Sequence, residues 1–89
     1  NHIRKWNKIL FKKFKEMKIA TNESKTNFLL LNFDRVNISS KKVFQKLAKA
    51  GILVRTMQVY GIKNSLRITI GKSKENRKLI SILRKIVNV

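Results

Sequence analysis

The apolar positions of residues 65–71 alternate strictly. Leu66, Ile68 and Ile70 fall on one side of an extended chain; Ser65, Arg67 and Thr69 fall on the other. Period two predicts a strand with one side on a core, its β-branched residues suit a pleated surface, and Gly71 ends the run. Arg67 stands in the middle of it. Charged side chains are seldom buried unless paired, so Arg67 reaches water, meets an acidic partner, or awaits an anionic ligand.

Residues 2–17 carry the other long pattern. Ile3, Trp6, Leu10, Phe14 and Met17 recur at threes and fours, with Ile9 and Phe11 widening the stripe, and Lys5, Lys8, Lys12, Lys13 and Lys15 fill much of the remainder. This spacing predicts an amphipathic helix. A core-facing stripe opposite a solvated face is the ordinary account. A stripe this aromatic also suits a helix that docks on protein outside these residues, or one lying on a membrane surface.

Between these two patterns the elements are shorter. Ile19 and Ala20 suit a short strand or a turn, and residues 21–25 read as a polar loop. Residues 26–33 place Phe28 and Leu30 on one side and Leu29, Leu31 and Phe33 on the other. Apolar residues on both sides predict a central strand covered on both faces. After a connector over 34–38, Ser39 or Ser40 is suited to cap a helix whose apolar face is Val43, Phe44, Leu47 and Ala48 and whose stop is Gly51. Residues 52–55 read as a short strand, and 56–64 as a loop containing Tyr60 and Gly61. Ser73 is the expected cap of the last helix. Glu75 lies in its first turn, Leu79, Ile80, Leu83, Ile86 and Val87 face inward, and Arg84 and Lys85 lie near its end. The order is helix, strand, helix, strand, strand, helix. It predicts an α/β fold of α+β-like type, a small sheet covered by helices. Residues 1–18 would be a leading amphipathic helix and 26–87 a sheet-and-helix core, in one small domain over 1–89.

Composition removes several kinds of chemistry. There is no Cys and His2 is the sole histidine, so disulfides, thiolate metal sites, His/Cys clusters and a His-based triad are excluded within the chain. Glu16, Glu23, Asp34 and Glu75 fall in separate predicted elements and form no obvious acid/base pair. Gly51, Gly61 and Gly71 end or interrupt elements and make no phosphate-cradling loop. The longest apolar run, residues 28–31, is far too short to span a membrane. No signal peptide is recognisable, and a reducing cytoplasmic compartment is the expectation. The first residue is Asn1 rather than Met, which suits a processed chain or a piece of a longer protein.

Charge widens the choice of partners. Against 22 Lys+Arg stand 4 Asp+Glu, a net charge of +18. Such a field attracts nucleic acid, anionic membranes or acidic substrates. Yet Lys is accompanied by many Asn, Ile and Phe residues, and all four types use A/T-rich codons. Genome composition alone can therefore generate the excess. A small basic RNA-binding or ribosomal-type domain is the alternative class, although the chain lacks the aromatic sheet motif of an RRM and the GXXG loop of a KH domain. Non-specific nucleic-acid binding at low salt is the expectation from charge alone.

Two arginines remain as candidate chemistry. Arg55 and Arg67 lie on neighbouring predicted strands, and a guanidinium fork matches carboxylate or phosphate oxygens two at a time. Arg55 can also be an ordinary edge-strand charge, and Arg67 one half of a salt bridge, for which few acids are available.

Gly51-Ile52-Leu53-Val54-Arg55, a loop with Gly61, Leu66-Arg67-Ile68-Thr69-Ile70-Gly71 and then Ser73-Lys74-Glu75-Asn76 resemble the C-terminal end of histidinol-phosphate aminotransferases. Upstream, Thr26-Asn27-Phe28-Leu29-Leu30 resembles that family's small-domain strand, and residues 40–50 its following helix. Threonine-phosphate decarboxylases and other fold-type-I aminotransferases share parts of the pattern. The resemblance implies a pyridoxal-phosphate enzyme with a large cofactor-binding domain and a smaller C-terminal domain, usually a homodimer, and no membrane partner is expected. Its implied substrates are histidinol phosphate with imidazole-acetol phosphate, and glutamate with 2-oxoglutarate. It implies further that Arg67, with Arg55 at the same pocket, binds the substrate's phosphate or carboxylate. The lysine that holds the cofactor covalently belongs to the large domain, so these 89 residues alone would be inactive.

Overall fold

A computed structural model describes residues 1–22, 24 and 26–87. The elements in chain order are α1 (His2–Glu16), β1 (Ala20–Thr21), β2 (Phe28–Asn32), α2 (Ser40–Lys49), β3 (Arg55–Thr56), β4 (Ser65–Thr69) and α3 (Ser73–Ile86). A short 3₁₀ turn, Gln58–Tyr60, lies in the connection between β3 and β4. Of the loop expected over 21–25, Glu23 and Lys25 lie outside the described residues.

The strands form one antiparallel sheet in the order β1-β2-β4-β3. Its register pairs Leu29 with Ile68 and Leu31 with Leu66. These four side chains are buried and belong to one core with Trp6, Leu10 and Phe14 of α1, Val43 and Leu47 of α2, and Leu79 and Leu83 of α3. All three helices thus cover the same face, and burial of their apolar stripes drives the assembly. Most of the aromatic stripe of α1 is consumed here, with Trp6, Leu10 and Phe14 buried; Ile3, Ile9 and Met17 pack at its margin.

The expected two-sided cover of residues 26–33 is not what forms. Leu29, Leu31 and Phe33 are buried, but Phe28 is 40% exposed and Leu30 half-buried. β2 is interior because β1 and β4 flank it, while its second face stays open. The strand expected over 52–55 is also displaced: β3 is Arg55–Thr56, and Leu53 is 83% exposed. Ile52 and Val54 do pack against the core. Apolar alternation there reports packing of an extended segment, without ladder pairing.

Helix ends explain several local features. Ser39 Oγ accepts from Lys42 N, capping α2. At its other end Gly51 has φ +81°, Gly51 N donates to Ala48 O, and Ile52 N donates to Leu47 O. That is a Schellman closure with glycine at the left-handed position. α1 ends in the same geometry, with Lys18 N bonding Lys15 O, Ile19 N bonding Phe14 O, and Lys18 at φ 64°. A left-handed Lys costs roughly 1–2 kcal/mol through its Cβ. Lys18→Gly is therefore expected to stabilise the chain by roughly 0.5 kcal/mol after the added freedom of the unfolded glycine is subtracted, a rise of about 2–4 °C in melting temperature. An unchanged or lowered melting temperature would show that Lys18 makes compensating interactions.

The expected Ser73 cap is replaced by a different arrangement. Lys72 is the N-cap residue and its backbone N donates to Glu75 Oε1 at 2.8 Å. Ser73 is the first helical residue, and its Oγ accepts from Trp6 Nε1 at 3.1 Å. The hydroxyl thereby satisfies a buried indole and ties α1 to α3.

Candidate functional site

The open face of the sheet is built by the residues that the core leaves out. In β4, Leu66, Ile68 and, just beyond it, Ile70 are 0–5% exposed on the helix side. Thr69 is exposed and Arg67 half-buried on the other. Across the ladder, Arg67 faces Leu30 of β2 on one side and Arg55 of β3 on the other. The row Leu30, Arg67, Arg55 therefore crosses three strands on one face. Phe28 faces Thr69 in the next row. In the row beyond, Asn32 Nδ2 donates to Ser65 Oγ at 3.1 Å.

The structure thus brings the two candidate arginines together. Directly opposite residues of an antiparallel pair have Cβ atoms about 4.5–5.5 Å apart, and like charges there repel. Among the described residues no acid relieves the repulsion. Among the described residues the one ion pair is Lys13 with Glu16 at 3.9 Å. Asp34 accepts from Asn64 Nδ2, and Glu75 is engaged at the start of α3. Arg55 sits on an edge strand, as an ordinary solvated charge would. Arg67 is interior to the sheet, and its guanidinium carbon lies 4.4 Å from the centroid of the Phe28 ring. Two guanidiniums on one face without a carboxylate suit an anion with several oxygens, which would bridge them and cancel the repulsion.

The arginine row lies on the open face of the sheet, apart from two grooves. A groove of about 800 Å³ runs beside α1, lined by Ile3, Asn7, Phe11 and Asn27 among others, and one of about 920 Å³ by the far ends of the helices. Arg55 and Arg67 line neither. Next to β3, Leu53, Val59 and Tyr60 are largely exposed, an apolar rim on a segment carrying one of the arginines. A binding site here would be completed by another surface.

Sequence reasoning did not connect Phe28 with Arg67. The signal was the register: strands paired at Leu29 and Ile68 put residue 28 diagonal to residue 67. Nor did it find the polar side chains that fix the ends of β4. Asn64, at φ 52°, accepts from Ser40 N through Oδ1 and donates to Asp34. Asn76, 2% exposed, clasps both backbone groups of Gly71. Amides of this kind have no periodicity to reveal them.

Net charge remains a liability of the whole surface. With +18 on 89 residues, self-repulsion opposes the compact state and salt screens it over about 10 Å at 0.1 M. The melting temperature of the chain is expected to rise between low salt and a few hundred millimolar sodium chloride. A flat response in a thermal melt series would show that the lysines are too dispersed to matter.

Comparison with known proteins bears on what the open face serves. The chain is 45% identical over 89 residues to the histidinol-phosphate aminotransferase of Pelagibacter ubique (strain HTCC1062), matching 99% of this chain and 24% of the relative. It is 39% identical over 71 residues to that of Campylobacter fetus subsp. fetus (strain 82-40), covering 80% of this chain and 19% of the relative. The chain thus spans about a quarter of the length of such relatives. In three dimensions it resembles the histidinol-phosphate aminotransferase from Clostridium acetobutylicum, with a TM-score of 0.86 and 26% identity over 97% of this chain and 26% of that one. A Thermus thermophilus aspartate aminotransferase variant shares the fold at a TM-score of 0.79 and 15% identity, over 96% of this chain and 24% of that one. No helix among the described residues is long and apolar enough to cross a membrane. The family model for aminotransferase class I and II matches residues 1–83, and the chain belongs to that family.

Proposed function

We propose that this chain is the small C-terminal domain, over 1–89, of a cytoplasmic, homodimeric histidinol-phosphate aminotransferase, and that Arg67 and Arg55 hold the anionic group of its substrates. The observation that carries this reading is the facing pair of arginines on an open sheet face, free of ion pairing among the described residues. The likeness to histidinol-phosphate aminotransferases over nearly the whole chain supports the substrate class. Histidinol phosphate would present a phosphate to the pair and glutamate a carboxylate, in exchange with imidazole-acetol phosphate and 2-oxoglutarate.

The residues on this face do not by themselves fit pyridoxal phosphate. The strand positions are Phe28, Leu30, Asn32, Arg55, Ser65, Arg67 and Thr69, without a lysine among them. The covalent anchor and most of the phosphate cup would come from the large domain, and the cofactor held there would supply the amino-group transfer. This chain's own part is to bind and orient. The arginines fix the anionic end of the substrate, and the apolar rim at Leu53, Val59 and Tyr60 suits a surface that closes on the large domain. Fixed orientation converts encounter into reaction by lowering the entropy lost at the barrier.

Transamination by the complete enzyme, assayed with histidinol phosphate and 2-oxoglutarate, tests the reading. Turnover of this pair, with histidinol lacking its phosphate a far poorer donor, is the expected result. Equal use of histidinol and histidinol phosphate would refute the anion clamp. Tight sequence-selective RNA binding that survives physiological salt would instead favour the basic nucleic-acid module.

A further inference from the structure

We propose that Phe28 is the positioning residue of the anion site, its ring fixing the plane in which Arg67 presents its guanidinium fork. This rests on the assignment of Arg67 to the substrate anion. The guanidinium carbon lies over the ring, 4.4 Å from the centroid, well within the range at which a cation is held by an aromatic face. Register makes the contact: Phe28 faces Thr69 and Leu30 faces Arg67, so the ring and the arginine are diagonal neighbours, a separation that aromatic and long side chains bridge.

The ring is placed from both sides of its own backbone. Phe28 N donates to Thr26 Oγ1 at 3.2 Å, and Asn27 O accepts from Ile70 N at 2.8 Å, extending the ladder past the end of β4. Phe28 is also dispensable for the core. It is 40% exposed and stands outside the cluster that Leu29 and Leu31 join. A large apolar side chain held off the core and over a cation serves that cation.

The two residues directly opposite Arg67 cannot do this. Leu30 offers no polar group, and Arg55 repels it across the strand pair. A flexible arginine under that repulsion would swing among rotamers in the free site. Stacking on the ring selects one plane and leaves the guanidinium edge, where the N–H donors lie, free for two oxygens. The ring also shields one side of the cation from water, which strengthens its hold on an anion.

The experiment uses the complete, cofactor-loaded enzyme and two probes: histidinol phosphate as substrate and inorganic phosphate as inhibitor. Phe28→Leu keeps apolar bulk and removes the aromatic face. It is expected to raise both the KM for histidinol phosphate and the inhibition constant of phosphate about three- to tenfold, raising KM by a larger factor than it lowers kcat. Phe28→Tyr restores both constants to near the parent values. Phe28→Ile, a strand former, is read in the same way should the leucine variant express poorly. In an Arg67→Ala background, Phe28→Leu should change neither constant more than twofold, since no guanidinium remains to be oriented. Parent-like constants in Phe28→Leu, or an undiminished effect without Arg67, would overturn the proposal. If Arg67→Ala alone leaves the kinetics unchanged, the assignment of Arg67 itself fails, and the role given to Phe28 falls with it.

Discussion

In the complete enzyme, Arg67→Ala is expected to lower kcat/KM for phosphate- and carboxylate-bearing substrates by about one to two powers of ten. A hydrogen bond to a charged group contributes roughly 1.5–3 kcal/mol, and the alanine variant loses both the charge and the fork. Arg67→Lys keeps the charge but has no planar pair of donors, so its loss should be smaller and should fall most heavily on substrates gripped by two oxygens. Arg55→Ala should cost less than Arg67→Ala, because Arg55 is exposed on an edge strand whereas Arg67 is half-buried between two strands. Steady-state kinetics with both amino donors, beside a titration of cofactor absorbance, separates the outcomes. The cofactor spectrum should stay close to that of the parent. Unchanged kinetics would remove Arg67 from the site, and a lost spectrum would assign it a structural role.

The alanine change has a second consequence that runs the other way. Arg55 and Arg67 repel in the free chain, which offsets the contact with Phe28 that Arg67→Ala gives up, so removing either should change the stability of the fold little. A site that binds anions through a like-charged pair gives up some folded-state stability for that binding. Loss of activity with retained or raised melting temperature is therefore the signature that separates a binding arginine from a structural one.

How much of this was legible in the sequence follows from the kind of signal each residue leaves. The strand holding Arg67 was visible because Leu66, Ile68 and Ile70 alternate, and alternation alone placed the arginine on the face away from the core. The ends of α2 were visible because Ser39 and Gly51 are residue types suited to those backbone positions. The end of α1 uses the same closure with a lysine, which carries no such mark. The open face of β2 was misjudged because Phe28 and Leu30 are apolar. Hydropathy cannot tell an aromatic ring that meets a core from one that meets a guanidinium. The partnership of Arg55 with Arg67 was suggested by their neighbouring strands, but facing register is a tertiary fact, fixed here by where Leu29 and Leu31 lock onto Ile68 and Leu66.

Asn76 is the clearest case of a residue with a large expected effect and no sequence signature. Its Oδ1 accepts from Gly71 N at 2.8 Å and its Nδ2 donates to Gly71 O at 2.9 Å, with the side chain only 2% exposed. The amide therefore mimics a neighbouring strand for one residue, carrying the chain from β4 into α3. Asn76→Ala removes both bonds. Gly71 O keeps His2 Nε2 at 2.8 Å, but the half-buried Gly71 N loses its partner, and a donor left unsatisfied away from water costs about 1–3 kcal/mol. With the lost packing of the amide, the total should be about 2–3 kcal/mol, lowering the melting temperature by roughly 8–24 °C for a domain of this size. Ser81→Ala, on the exposed side of the same helix, should stay within about 0.5 kcal/mol and serves as the control. Thermal melts of the two variants beside the parent decide the matter. An Asn76→Ala variant that melts with the parent would mean that water takes over the amide's two bonds, and that α3 is held to the sheet by its leucines alone.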